Sequence, residues 1–162
     1  MRSLTIAEIA LARKAFGDTV DYGRIRLVDG PGANLAARLA FAKGNSAITL
    51  ASTVHFKHDF RLDFGAPGTN PNGFLHEMTH VWQFQRLGVT WFLLRYAREL
   101  AAVGARPRRM YDYQPGRTRF GAAMLEAQAQ MVGDYGEALW TGREPDRSAL
   151  AASLAGSGLY GL

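Results

Sequence analysis

The sequence predicts an α+β fold, with a small N-terminal β-sheet packed on a mainly helical C-terminal part. Two observations predict it. β-Branched, alternating segments are confined to the first third of the chain, and the apolar period turns helical after the turn-rich stretch Gly65-Ala-Pro-Gly-Thr-Asn-Pro-Asn-Gly73. The chain has 162 residues, 48% apolar and 20% charged, which suits one packed domain over 1–162 and argues against disorder as the main state.

Residues 4–16 read as a short amphipathic helix, with Ile6, Ile9, Ala10, Arg13 and Phe16 at helical spacing, Glu8 early and Gly17 closing. Tyr22 to Val28 alternates Ile25 and Leu27 with Arg24 and Arg26, the pattern of a half-buried strand, and Asp29-Gly30-Pro31-Gly32 is a turn. Leu35 to Ala42 is compatible with helix or strand. Ala47 to Phe56 reads as one second strand. Helices are expected over 74–87, 90–103, 118–140 and 146–155, the last three separated by Pro107, Pro115, Gly142 and Pro145.

With no cysteine, disulfides, Cys-ligated zinc and iron–sulfur clusters are excluded, so a metal has to use His, Asp or Glu. The most apolar stretch, Val89 to Val103, is interrupted by Arg95, Arg98 and Glu99, so no membrane span is expected. Met1 to Gly17 lacks the features of a classical signal peptide. The net charge of +5 allows an acidic partner such as nucleic acid, anionic lipid or acidic protein. Arg106, Arg108, Arg109, Arg117 and Arg119, interleaved with Tyr111 and Tyr113, form the densest basic segment. Such a segment can hold a nucleic-acid strand, but a solvated connection between helices is the reading preferred, and nucleic acid is not the expected partner.

His76-Glu77-Met78-Thr79-His80 is an HExxH pattern. On a helix, residues four apart project from one face, so both imidazoles can share a metal ion. Glu77, one position round the cylinder, is placed to take a proton from water rather than to ligate. Phe74, Leu75, Met78, Val81, Trp82, Phe84 and Leu87 cover nearly the whole circumference, so this helix should be buried on most sides. Imidazoles and a carboxylate buried without partners cost several kcal/mol, about what a shared metal removes.

A catalytic zinc needs a third protein ligand and an open position. The extended HExxHxxGxxH form fails, because Gln83 and Arg86 stand where Gly and the third His would be. Candidates are Glu126, Asp134 and Glu137, Asp112, and His55 or His58. Glu126 is preferred. Ala122, Ala129 and Gly133 form a small-residue stripe on its face, whereas Glu137 lies about 16 Å further along by helix rise. Tyr111, Tyr113 and Tyr135 are candidate donors to a developing oxyanion, and Tyr113 is the one assigned. His55 and His58 are expected at the surface or in structural roles.

The chain resembles the Vgr-related, zincin-like metallopeptidase family of bacteria, associated with type VI and related contractile secretion systems. The resemblance is carried by Phe74-Leu-His-Glu-Met-Thr-His-Val-Trp-Gln83, by Tyr111-Asp-Tyr113, by Glu126-Ala-Gln-Ala129 with Asp134-Tyr135, and by Phe16-Gly17-Asp18 with Asp21-Tyr22. It implies a gluzincin arrangement, in which HExxH is completed by a glutamate on a later helix, and it implies a zinc peptidase site more firmly than any substrate. Gln130 stands four residues after Glu126, where gluzincins often carry an aspartate that orients a zinc histidine, so Asp134 is expected to take that role.

The function expected is therefore zinc-dependent hydrolysis of a peptide or protein substrate, linked to a Vgr-type secretion partner, in the cytoplasm or exported by a contractile system. The alternative is a non-catalytic, zinc-stabilised adaptor, against which Glu77 argues, since metal binding alone needs no base.

Overall fold

The computed structural model describes residues 1–144 and 146–162; Pro145, expected to separate the last two helices, lies outside them. Six α-helices and a three-stranded sheet appear in the order α1 Ile6–Phe16, β1 Arg26–Asp29, α2 Leu35–Ala42, β2 Ala47–Leu50, β3 Thr53–Phe56, α3 Asn72–Leu87, α4 Val89–Ala102, α5 Leu125–Thr141 and α6 Asp146–Leu154. The α+β expectation is met.

α1 starts where Thr5 and Glu8 form a reciprocal capping box. Glu8 is fully buried. Its carboxylate accepts from both terminal nitrogens of Arg2, from Thr5 N and from Phe64 N, so it is satisfied on every side. Arg2 also exchanges two backbone bonds with Leu27 and donates to the Arg61 carbonyl.

Three expectations about elements need correction. The stretch from Tyr22 begins as a 3₁₀ turn, Tyr22–Arg24, and only Arg26–Asp29 is strand. Ala47 to Phe56 is a hairpin rather than one strand, turning at Ala51, whose φ of 55° lies in the left-handed region. The helix expected from 118 starts at Leu125, and its approach contains the 3₁₀ turn Phe120–Ala122. The ambiguous Leu35–Ala42 segment is helix, capped by the Asn34 side chain on Ala37 N.

The sheet order is β1-β3-β2, with β1 parallel and β2 antiparallel to β3, which leaves β2 as an edge strand. α3 packs against both β2 and α5, with its most extensive contact on α5. It is buried continuously from Phe74 to Phe84, as its all-round apolar pattern predicts. Phe56, Phe64 and Phe74 stack in succession, with centroids 4.7 and 5.3 Å apart, and tie the sheet to the start of α3. The α3–α5 approach depends on glycine. A Cβ at Gly133 would stand 2.7 Å from Asn72 Oδ1 and 2.8 Å from Asn72 O, and one at Gly136 would run into Leu75. Gly133 and the fully buried Ala129 belong to the stripe read from the sequence, whereas Ala122 lies outside α5 and is exposed.

Candidate metal centre

His76 and His80 project one turn apart from buried α3, and Glu126 meets them from the first turn of α5. His80 Nε2 lies 3.2 Å and His76 Nε2 3.4 Å from the same oxygen, Glu126 Oε2. One ligand atom from each residue lies within 4.8 Å of every other. These three are the metal-ligand candidates chosen from the sequence, and the fold brings them together across 46 residues of chain.

The spacing fits a shared cation better than a simple ion pair. A charge-assisted N–H···O bond closes to about 2.8 Å, and both separations exceed that. Ligands about 2.1 Å from a tetrahedral zinc stand about 3.4 Å from one another. Without a cation the same groups carry the charges of an ion pair. Burial alone would lower the His80 pKa, but the Glu126 charge and hydrogen bond outweigh it and raise it to about 9. Burial would push the Glu126 carboxyl up, yet His80 and His76 hold it well below the usual carboxylate range. A divalent cation at this position would take the place of the His80 proton beside the carboxylate.

His80 is oriented from behind by an amide relay. His80 Nδ1–H donates to Gln83 Oε1 at 2.9 Å, which leaves Nε2 directed at Glu126. The Gln83 amide donates to Leu125 O at 3.1 Å and to Gln128 Oε1 at 3.0 Å, and Gln128 Nε2 donates to Phe120 O at 2.9 Å. Both glutamines are buried. The relay therefore links the second histidine to the helical turn that carries Glu126. Asp134 does not serve this role. Its carboxylate accepts from Asn72 Nδ2, Gln130 Nε2 and the Tyr113 hydroxyl. It stands eight residues beyond Glu126, about 12 Å along the helix.

Glu77 is outside the converging ligand group. Its Oε2 accepts a 2.7 Å hydrogen bond from the buried Thr49 hydroxyl on edge strand β2, so the sheet edge holds the carboxylate beside the metal candidates. Among the three candidate tyrosines, Tyr111 is the one against the site, stacked on the His76 ring at 5.8 Å and 11°. Burial, and then the Glu126 charge, push its hydroxyl pKa up, and raise that of Tyr96 to about 12. Tyr113 donates instead to Asp134. Tyr135 packs edge-on against Tyr160.

The remaining alternatives lie elsewhere. Glu137 accepts from Asn70 and Asn72, His55 is buried with Nδ1 on the Gly30 carbonyl, and His58 and Asp112 are exposed. Thr49, Gln83, Gln128 and Tyr96 were not identified from the sequence as site residues. Gln83 carried the one available signal, a polar side chain three residues after His80 and set among Val81, Trp82 and Phe84.

α4 braces the second side of the site. Phe92 lies edge-on to His80 at 6.2 Å and stacks on Phe84 at 3.7 Å. Glu99 accepts from Leu125 N and from Arg95 Nε, and so caps the start of α5.

No family model matches the chain. It is 30% identical over 137 residues, 83% of its length, to the type VI secretion system spike protein VgrG2b of Pseudomonas aeruginosa, and spans 13% of that protein. The solved structure of the effector domain of Pseudomonas aeruginosa VgrG2b superposes with a TM-score of 0.66 at 24% identity, covering 96% of this chain and 82% of that one.

Proposed function

We propose that this homologue of the VgrG2b effector domain is a zinc-dependent metallopeptidase working in connection with a type VI secretion spike. His76, His80 and Glu126 would hold the zinc and Glu77 would act as general base. The observation that carries the reading is the approach of both Nε2 atoms to one Glu126 oxygen, at 3.2 and 3.4 Å, with the Glu77 carboxylate fixed nearby by Thr49. Zinc bound there would polarise a peptide carbonyl and lower the pKa of a water molecule.

The chain's own groups supply the rest. Glu77 takes the proton of the attacking water and delivers it to the departing amine. Thr49 keeps that carboxylate in one rotamer. Tyr111, whose ring stacks on His76, would donate to the developing oxyanion in place of Tyr113, which is bonded to Asp134. The unpaired edge of β2 offers backbone groups to an extended substrate strand.

The test combines metal analysis with peptide hydrolysis. About one zinc per chain is expected in the wild type and in Glu77→Gln, and a large loss in Glu126→Ala. Hydrolysis should vanish in Glu77→Gln, whose amide cannot accept the proton. Full zinc in Glu126→Ala would refute the ligand set. A zinc-loaded wild type that cleaves nothing in a broad peptide library would refute catalysis and leave the adaptor reading.

A further inference from the structure

We propose that the outer face of α4, with the arginines around it, docks on an anionic lipid surface. The inner side of this helix is fully engaged through Phe92, Tyr96 and Glu99. The outer side has no partner. Trp91 is 69% exposed, Leu93 and Leu94 are each 55% exposed and Val89 is 51% exposed. At about 100° per residue, Trp91, Leu94, Arg98 and Ala101 share one side, and Ala97 lies beside them. A helix that turns Trp and Leu to solvent is the reverse of an ordinary surface helix.

Charge identifies the occupant. From Arg86 to Tyr111 the chain carries six arginines and one acidic residue, Glu99, a surplus of five that equals the net charge of the whole protein. Glu99 is spent on Arg95 and on the start of α5. Arg86, Arg98, Arg106, Arg108 and Arg109 form no ion pair among the described residues and are exposed. The Pro107–Tyr111 turn that carries Arg108 and Arg109 packs on α4 itself, and Arg98 lies on the same side of the helix as Trp91 and Leu94.

An aliphatic face with one exposed tryptophan and a cationic rim is the pattern of a helix lying in the plane of a membrane interface. α4 has 14 residues, too few to span a bilayer. A second copy of the chain is disfavoured, because a two-fold contact through this face would bring the two arginine clusters together. Nucleic acid is disfavoured by Leu93, Leu94, Ala97 and Ala101, which offer neither stacking nor hydrogen bonds. None of this depends on the peptidase reading.

The test is co-sedimentation of the 162-residue chain with phosphatidylcholine vesicles, with and without about 25% phosphatidylglycerol. Partitioning should be at least about tenfold stronger on the anionic vesicles and should weaken in about 0.5 M salt. Trp91→Ala with Leu94→Ala should lose at least about tenfold, and so should Arg108→Ala with Arg109→Ala, each with unchanged circular dichroism and melting temperature. Equal partitioning on both vesicle types, none on either, or wild-type binding by the Trp91/Leu94 variant would overturn the proposal. So would a dimer that the Trp91/Leu94 variant abolishes, or saturable binding of polyglutamate through this face without vesicle binding.

Discussion

Replacing Gln83 with Leu tests whether the amide relay holds the metal site together. The change preserves approximate volume but removes three hydrogen bonds, at 2.9 Å from His80, 3.1 Å to Leu125 O and 3.0 Å to Gln128. Leu125 O retains its place in the α5 ladder, so two buried groups are orphaned, His80 Nδ1–H and Gln128 Oε1. At about 1–3 kcal/mol each, the loss is about 2–6 kcal/mol, or about 4–24 °C in melting temperature for a chain of this size. Once His80 is free to rotate, zinc affinity should fall about 10–100-fold. Competition with a fluorescent chelator measures that affinity, and melting with and without zinc separates the two losses. Gln83→Glu keeps an acceptor for His80 and should bind zinc at least about tenfold more tightly than the Leu variant. A Leu variant with wild-type zinc affinity would refute the claim that Gln83 orients His80.

Zinc binding at pH 7.5 should release about one proton per ion, because His80, with a pKa of about 9 in the metal-free site, has to surrender its proton to become a ligand. Calorimetry in buffers of different ionisation enthalpy reads this, and the release should disappear well above pH 9. Gly133→Ala should destabilise by up to about 2 kcal/mol, the overpacking against Asn72 less the roughly 1 kcal/mol that Ala contributes to a helix; a rise in melting temperature would refute the close approach. Neutralising Arg108 and Arg109 together should leave zinc content unchanged and hydrolysis of a small neutral peptide within about threefold, as expected for exposed charges screened from the site.

Local chemistry was the most legible part of the sequence. HExxH fixed two imidazoles on one helical face, and small residues near Glu126 pointed to close packing of α5. The hairpin was missed because its turn uses Ala51 and Ser52, without the Gly, Asn or Asp that usually marks a left-handed turn residue. Tyr111 and Tyr113 stand two residues apart, but Pro107–Tyr111 is a 3₁₀ turn, and only Tyr111 meets the His76 ring while Tyr113 reaches Asp134. Gln83 and Thr49 gained their roles from contacts with residues 28 to 45 positions away, which no local pattern encodes. Asp134 was favoured by residue type and excluded by helix rise.

The arginine at position 2 joins parts of the molecule that are far apart in sequence. It is hydrogen-bonded to Leu27 in β1, to Glu8 in α1 and to Arg61 in the loop that leads into α3. The same Glu8 carboxylate fixes Phe64 N, and Phe64 stacks on Phe74, two residues before the first histidine. Replacing Arg2 with Met would therefore strip the buried Glu8 carboxylate of its counter-charge and loosen the entry to the histidine helix from a position more than 70 residues away in sequence.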